Sequence, residues 1–458
     1  MLDRRGPECR TQDEWGAYVP TFHVWTLGCQ MNQADSLRLA AGLEKSGYVP
    51  ADNPDLADLV VVNTCAVRQH AEDRAYGRLH KLNQRRKRGD TIQIAVMGCM
   101  VGPEGDKHRD ELARRFPWVD VWARPQEFEP ILEVAGLARD VSEGEFWTET
   151  YGVPSGPTAY VPVIHGCDKF CTYCIVPLRR GREQSRPVLE VLDEVRHLAT
   201  QKVREVTLLG QTVEAYGHDL EEVADLATLF EGIEMIEGVI RTRFLTSYPK
   251  DMTDRIIDAV ADLPKVCENF NIPIQSGDDR MLARMRRGYT VAEYEERVER
   301  IRSRMPDVAI ATDVIVGCPG ETDEEFAGTV SLLERTQFDV IHVAAYSPRP
   351  GTFAHRKLAD DVPRELKKER LKIVEQIHAE SAAAKNRRLL GETVEVLVER
   401  EDVDKATGRT RHGQLVHFDG SGLIGELVKV DISEATPWSL RGQRAGERRD
   451  GELLLTVV

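Results

Sequence analysis

Cys167, Cys171 and Cys174 stand in the run Gly-Cys-Asp-Lys-Phe-Cys-Thr-Tyr-Cys, three thiols with gaps of three and two residues. Thiolates hold iron–sulfur clusters, and such clusters normally take four of them. Three thiolates on a four-iron cluster leave one iron open, and an open iron can bind and reduce a small molecule. A zinc knuckle is the competing reading. Zinc usually needs a fourth Cys or His at short spacing; His165, two residues before the triplet, is too close along a strand to close a tetrahedron comfortably.

Cys29, Cys65 and Cys99 form a second set through topology rather than spacing. The β-branched runs Phe22 to Thr26, Leu59 to Asn63 and Ile92 to Met97 read as strands, and each leads straight to one of these cysteines. The amphipathic stretch Ala34 to Lys45, ended by Gly47, reads as a helix between the first two strands. Strands alternating with helices indicate an open parallel sheet. All three thiols then project from its carboxyl edge, where such sheets gather ligands. Three unrelated buried cysteines are the alternative, since buried Cys is common; the repeated placement favours a single three-cysteine site.

The elements that position these groups fall into three segments, in line with a length of 458 residues. Residues 21–137 carry the N-terminal open parallel α/β sheet. Residues 138–157, with Gly152, Pro154, Ser155, Gly156 and Pro157, read as a linker. Over residues 158–390, strands at 160–164, 205–209, 241–245, 269–274, 310–316 and 340–345 alternate with helices, a partial (β/α)6 barrel of the TIM type whose active-site loops lie at the carboxyl ends of the strands. The cysteine triplet occupies the first of those loops. Residues 392–458 change to short alternating strands at 394–398, 414–418, 427–432 and 453–457, a small antiparallel β-barrel, OB-like, of a kind that often binds single-stranded RNA. A barrel that merely packs on the enzyme core is the alternative.

Composition narrows the function. Hydrophobic residues make up 41% and charged residues 30%, a soluble globular balance. No apolar run is long enough to span a bilayer, and Met1 to Pro20 lacks the apolar core of a secretory signal, so no membrane role and a cytoplasmic address are expected. In that compartment the nine cysteines read as metal or redox ligands rather than disulfides. Cys9, Cys267 and Cys318 fall outside any ligand pattern and read as free thiols or small buried hydrophobes. The formal charge of −15 argues against indiscriminate coating of nucleic acid, while leaving room for a local basic face. Two basic groups stand out: Arg78 to Arg88, which has the look of a solvated helix face, and Arg179, Arg180, Arg182 and Arg186, directly after the triplet.

Taken together, two three-cysteine sites and a terminal β-barrel in this order resemble the radical S-adenosylmethionine (SAM) methylthiotransferase family, from about Thr21 to the end. The motifs are Leu27-Gly28-Cys29-Gln30-Met31-Asn32, Asn63-Thr64-Cys65-Ala66-Val67-Arg68, Gly98-Cys99, Pro273-Ile274-Gln275-Ser276-Gly277, Val316-Gly317-Cys318-Pro319-Gly320-Glu321-Thr322 and, in the terminal barrel, Trp438-Ser439-Leu440-Arg441-Gly442. Ala66-Val67-Arg68 and the Trp438 motif look most like the tRNA-modifying branch. Departures are Cys318 where a large apolar residue is expected, Met97 where Gly is usual, and Leu178-Arg179 where Tyr-Thr is common.

The resemblance implies two 4Fe-4S clusters, an auxiliary one on Cys29, Cys65 and Cys99 and a SAM-cleaving one on Cys167, Cys171 and Cys174, with no catalytic side chain beyond these ligands. It implies SAM both as methyl donor and as radical source, and attachment of a methylthio group to carbon 2 of an isopentenylated adenosine next to the anticodon of tRNA. An aromatic C–H is inert to acid–base chemistry, so a radical is needed. By the same resemblance Tyr173, Gly210, Gln211, Gln275, Ser276, Val316 and Gly317 are candidate SAM contacts, with a turn role as the alternative for Gln275. The terminal barrel is implied to be a TRAM domain engaging tRNA. Arg179, Arg180, Arg182, Arg409, Arg411 and Arg441 are the expected phosphate contacts; a flavodoxin- or ferredoxin-like reductant and a monomeric state are expected too. Alternatives are a sister enzyme acting on threonylcarbamoyl-adenosine in tRNA or on a ribosomal-protein aspartate, and an iron–sulfur electron-transfer or sensing protein with an RNA-binding barrel.

Overall fold

The computed structural model describes residues 18–66, 69–136 and 152–446. Cys9, Arg448, Arg449, the expected strand at 453–457 and the greater part of the linker lie outside the described residues. In the first segment β1 (Thr21–Leu27), β2 (Val49–Pro50), β3 (Leu59–Thr64), β4 (Gln93–Gly98) and β5 (Val121–Ala123) form a parallel sheet in the order β2-β1-β3-β4-β5. The unbroken apolar run of β3 follows from its central place, because a strand covered on both faces cannot alternate with polar residues. Leu59 and Val61 share a core with Leu39 and Leu43 of helix Gln30–Lys45. Val60 and Val62 join Leu79 and Leu82 of helix Gln69–Lys87 in the opposite one. Met97, the departure in β4, is fully buried in the first of these cores.

The central segment is a six-stranded open barrel. β6 (Thr158–Pro162) ends earlier than expected, and β7 (Ile164–His165) turns away to pair antiparallel with β8 (Gln184–Ser185). That short ribbon closes the loop carrying Cys167, Cys171 and Cys174. β9 (Glu205–Leu209) and β10 (Arg241–Leu245) extend β6 into one parallel set; β11 (Asn269–Asn271), β12 (Ala309–Val316) and β13 (Val340–Ala345) form the other. A bridge from Thr242 to Val266 and the bond from Ser247 N to Asn271 O, 3.0 Å, carry one set into the next. β11 stops at Asn271 rather than Ile274: beyond it the Thr312 hydroxyl, donating to Ile272 O at 2.9 Å and accepting from Ile274 N at 3.1 Å, replaces the backbone ladder around Pro273. The Pro273 carbonyl accepts from Arg287 Nη2 and Tyr289 Oη, both at 3.0 Å.

In the last segment β14 (Thr393–Asp402), β15 (Lys405–Arg409), β16 (Leu415–Asp419), β17 (Leu427–Ala435) and β18 (Leu440–Arg444) close a five-stranded barrel in the order β14-β15-β16-β18-β17. All pairs are antiparallel except β16 with β18. β15 and β18 carry charges and glycines and show no apolar run in the sequence; each adds one fully buried residue, Ala406 and Leu440, to the barrel core.

Buried arginines join the segments. Arg38 on helix Gln30–Lys45 donates through Nη2 to both oxygens of Glu194 at 2.8 and 2.6 Å, and Arg186 Nη1 donates to the same carboxylate at 2.5 Å. At the other end Arg241 Nη1 donates to Arg409 O and Arg243 Nη1 to Arg411 O, both at 2.8 Å, fixing the β15–β16 hairpin against β10. Asn386 Nδ2, at the end of helix Arg364–Arg387, reaches Thr436 O at 2.8 Å.

Burial alone would push the Glu194 carboxyl up, but Arg38 and Arg186 together hold it below its ordinary range. Replacing Glu194 by Gln removes the carboxylate that two buried guanidiniums share, a loss of about 3–5 kcal/mol. The urea midpoint should fall accordingly. A depressed folded value means that the carboxylate's stabilisation is complete above its unfolded value of about 4.3 and is lost as pH falls through the lower folded value. The Glu194→Gln penalty measured at pH 7 should therefore shrink below pH 4.3, and a penalty independent of pH would contradict the ion-pair account.

Candidate functional site

The loops after β1, β3 and β4 bring Cys29, Cys65 and Cys99 to one edge of the first sheet. Cys29 is the N-cap of helix Gln30–Lys45 and exposed; Cys65 and Cys99 are buried. Two buried amides hold the loops in place. Asn32 Oδ1 accepts from the backbone N–H of Cys29 at 3.3 Å, while its Nδ2 donates to Asn63 Oδ1 at 2.8 Å and to Thr64 O at 3.2 Å. Asn63 Nδ2 returns bonds to Asn32 O and Ser36 Oγ, each 2.9 Å. Thr64 O also accepts from Cys99 N at 2.9 Å. Gly98 allows that approach: its φ is +102°, and a side chain there would meet Thr64 O at 2.3 Å.

Cys167, Cys171 and Cys174 share the loop closed by β7 and β8. Cys167 N donates to Gly181 O at 3.1 Å, and Gly166 is required beside it, since a Cβ would lie 1.9 Å from Arg182 O. Cys167 Sγ lies 3.5 Å from Thr212 Oγ1, and Arg287 Nη1 donates to Cys171 Sγ at 3.4 Å. Thr172 is fixed from both sides, donating through N to Met285 O at 3.0 Å and accepting at O from Ala354 N at 2.8 Å.

The two loops meet. Ile175, next after Cys174, packs on Ala66 and Cys99 in one small buried cluster. Arg180, five residues further on, donates through Nη2 to Asp35 Oδ2 at 2.7 Å with both side chains buried.

Burial pushes the thiols of Cys99 and Cys167 up, and that of Cys174 up to about 12. They would stay protonated near neutrality without a cation to displace the proton. Each set of three thiols has cationic or hydroxyl donors at hand, Arg180 for one and Arg287 and Thr212 for the other. Such donors suit anionic sulfur. Among the described residues no three His, Cys, Asp or Glu side chains stand close enough to share a single metal ion; a four-iron cluster makes a different demand, since each thiolate takes its own iron. Burial, together with the charges of Arg180, Arg38 and Arg186, holds the His165 imidazole well below its usual range.

Of the expected SAM contacts, Gln211 follows β9 and Gln275 sits at the bridge to Val314 with φ of +73°. Both present a buried Oε1 with no hydrogen-bonded partner, a fit for a cationic or N–H-bearing ligand. Gly210 and Val316 are buried, and Tyr173 is half-buried against the Met281, Met285 and Cys318 group. Two expectations are revised. Ser276 is 1% exposed and its Oγ faces Thr329 Oγ1 and Asp278 N, both at 3.4 Å, so it serves the turn before helix Asp279–Met285. The amide of Gly317 is taken by Glu321 Oε2 at 2.6 Å.

The arginines need larger revision. Arg179 is 3% exposed with Asp106 at 3.4 Å, Arg180 is held by Asp35, and Arg186 by Glu194. Arg411 is bound to Glu268, Pro264 O and Val266 O between barrel and terminal domain. Each of these guanidiniums has a carboxylate of its own chain beside it. Arg182, Arg409 and Arg441 are exposed. In the basic run of helix Gln69–Lys87, Arg85 pairs with Asp90 and Arg86 with Asp120. Sequence reasoning gave no role to Asn32, Asn63, Asp35, Thr212 or Arg287. The two asparagines stood inside recognisable motifs; Asp35, Thr212 and Arg287 carried no spacing signal.

Residues 21–123 match the uncharacterized protein family UPF0004, residues 161–333 the radical SAM superfamily and residues 387–444 the TRAM domain. The chain is 45% identical over 93% of its length to a tRNA-2-methylthio-N(6)-dimethylallyladenosine synthase of Dehalococcoides mccartyi (strain CBDB1), covering 98% of that protein. It is 43% identical over 92% of its length to a synthase of the same name from Chloroflexus aurantiacus, covering 91% of it. A solved radical S-adenosylmethionine methyltransferase from Kitasatospora setae, with cobalamin and a 4Fe-4S cluster bound, superposes with a TM-score of 0.55 at 14% identity, covering 73% of this chain and 77% of that one. A cobalamin-dependent S-adenosylmethionine radical enzyme gives a TM-score of 0.51 at 13% identity, over 78% of this chain and 56% of that one. At such identities the two structures speak to the fold alone.

The amide pair carries its own prediction. Asn32→Ala strips the amide partner from Cys29 N–H and Asn63 Oδ1, and a buried polar group left unpaired costs about 1–3 kcal/mol. In the metal-free protein Cys65 and Cys99 should be alkylated several-fold faster than in the parent chain, with the Cys167 to Cys174 loop unaffected. Equal rates would remove the role given to Asn32.

Proposed function

As a member of the tRNA-2-methylthio-N(6)-dimethylallyladenosine synthases, the chain is, we propose, a two-cluster radical SAM enzyme that methylthiolates carbon 2 of an isopentenylated adenosine next to the anticodon of tRNA. The observation that carries this reading is the contact of Ile175 with Cys99 and Ala66, which sets two triplets of thiols against each other across one domain seam. Cys29, Cys65 and Cys99 hold the auxiliary cluster, and Cys167, Cys171 and Cys174 hold the one that leaves an iron free for SAM. When bound, these groups supply a radical able to take hydrogen from an aromatic carbon, and the sulfur that replaces it.

The chain's own residues bind, orient and pack. Gln211 and Gln275 offer their unpaired oxygens to SAM. Arg287 and Thr212 donate to the thiolates of Cys171 and Cys167 and fix the ring of ligands. Ile175 and Ala66 fill the seam between the two cysteine loops with apolar surface. The terminal domain binds tRNA, supported by its match to the TRAM model and by the exposure of Arg409 and Arg441. A flavodoxin- or ferredoxin-like protein supplies the electron, and the enzyme works as a monomer in the cytoplasm.

Replacing Cys167, Cys171 and Cys174 by Ala should abolish 5′-deoxyadenosine formation. The triple Ala variant at Cys29, Cys65 and Cys99 should keep reductive SAM cleavage, lose about four irons per chain and make no methylthio product. Unchanged iron content there would refute the auxiliary site. The acceptor is decided by offering an isopentenylated anticodon stem-loop, a threonylcarbamoylated one and a ribosomal protein together; product on either of the latter two would overturn the substrate assignment.

Cations at the mouth give a second expectation. Arg286, whose guanidinium lies 4.3 Å from the Phe353 ring, and Arg356 and Lys357 of helix Phe353–Lys357 are exposed with no carboxylate partner among the described residues. They flank Thr172 inside the cysteine loop. Charge reversal at Arg286 and Arg356 should weaken stem-loop binding most at low salt and lower the slope of log K against log salt by roughly 0.7 for each phosphate no longer neutralised, the single-strand value. An unchanged slope would place the RNA elsewhere.

A further inference from the structure

Arg180 belongs by sequence to the loop of Cys167, Cys171 and Cys174, yet its side chain is planted in the other domain. Its Nη2 donates to Asp35 Oδ2 at 2.7 Å; Asp35 lies on the helix that Cys29 caps. Arg180 is 7% exposed and Asp35 fully buried. One atom of each is left over: Arg180 Nη1 and Asp35 Oδ1 are buried without a hydrogen-bonded partner. A buried pair of this kind costs desolvation that its single bond recovers poorly, so the spare Nη1 calls for a second anion beside Asp35, and Arg180 already acts on the thiol of Cys99. The neighbours say where that anion belongs. The charge of Arg180 acts on both Cys29 and Cys99, and Ile175, from the same loop, touches Cys99.

We propose that Arg180 is a positioning residue for the auxiliary cluster, donating from its spare Nη1 to the anionic sulfur held there, with Asp35 as the counter-charge that sets how much positive charge the cluster feels. The inference rests on the reading of Cys29, Cys65 and Cys99 as cluster ligands. Its consequence concerns the reduction potential, which responds to net charge and to hydrogen bonds on cluster sulfur. A cluster that takes up one electron becomes one charge more negative. A nearby guanidinium favours that state and a nearby carboxylate opposes it. Removing Arg180 and removing Asp35 must then move the potential in opposite directions, a signature that loss of packing at the seam does not produce.

The test uses the full chain with Cys167, Cys171 and Cys174 replaced by Ala, so that only the auxiliary cluster reports. In this background Arg180→Gln, Arg180→Lys and Asp35→Asn are titrated with dithionite as one-electron donor, followed by electron paramagnetic resonance, with iron counted per chain. Arg180→Gln should disfavour reduction by about tenfold or more, a fall of about 59 mV for a one-electron couple. Asp35→Asn should favour it by a similar factor, and Arg180→Lys should stay close to the parent. Should Arg180→Gln lose its iron, the rise with Asp35→Asn and the retention with Arg180→Lys decide alone. Potentials that move together, or not at all, at unchanged iron content overturn the role of Arg180 and leave the enzyme reading intact. A parent without auxiliary iron overturns both.

Discussion

A guanidinium taken out of water must meet an anion, and the seam between the first sheet and the barrel is built on that requirement. Arg38 and Arg186 converge on Glu194, and Arg180 meets Asp35, all of them buried. Desolvation consumes much of the attraction in such pairs, so they are a poor source of net stability. What they do enforce is register. Helix Gln30–Lys45 can sit on the barrel only where Arg38 finds Glu194 and Asp35 finds Arg180, because any slide leaves charges buried and alone. Cys29 caps that same helix, and Arg180 follows Cys174 by six residues. Fixing the ion pairs therefore fixes one triplet of thiols against the other.

The chemistry gains from where this seam lies. Both triplets stand at carboxyl ends of parallel strands, the edge at which α/β folds present their loops, and the two edges are turned toward one another. Apolar Ile175 and Ala66 fill the contact rather than water. Polar groups that remain nearby, the oxygens of Gln211 and Gln275 and the Nη1 of Arg180, have spare capacity for ligands.

Much of this arrangement was legible in the chain. Period and composition located β9, β10 and β13 to the residue, and the three cysteines after three strands foretold a shared edge. Two kinds of feature were not legible. Short strands with charged outer faces, β15 and β18, carry one or two inward side chains each, too few for alternation to register. β6 runs two residues earlier than its apolar run suggests, and β11 ends at Asn271 because the Thr312 hydroxyl takes over the next ladder bonds, a side-chain exchange that the apolar pattern does not show. The asparagines that tie the first cysteine site were visible as motif letters only; that Asn32 and Asn63 would bond one another depends on two loops meeting, which spacing along the chain cannot reveal.

Charge was the least legible property, and for a reason that bears on RNA. Four arginines grouped after the cysteine triplet looked like a basic face, but a guanidinium reads the same in sequence whether it faces solvent or a buried carboxylate. Beside Arg179, Arg180 and Arg186, turned inward on carboxylates, the loop presents Arg182, 76% exposed at its side chain although paired with Asp168, and Arg286, Arg356 and Lys357, which have no carboxylate partner among the described residues. The formal charge of −15 does not oppose binding there, because a Debye length of about 8 Å at physiological ionic strength screens exposed charges further away. A polyanion approaching the mouth therefore feels the few cations beside it rather than the acidic total.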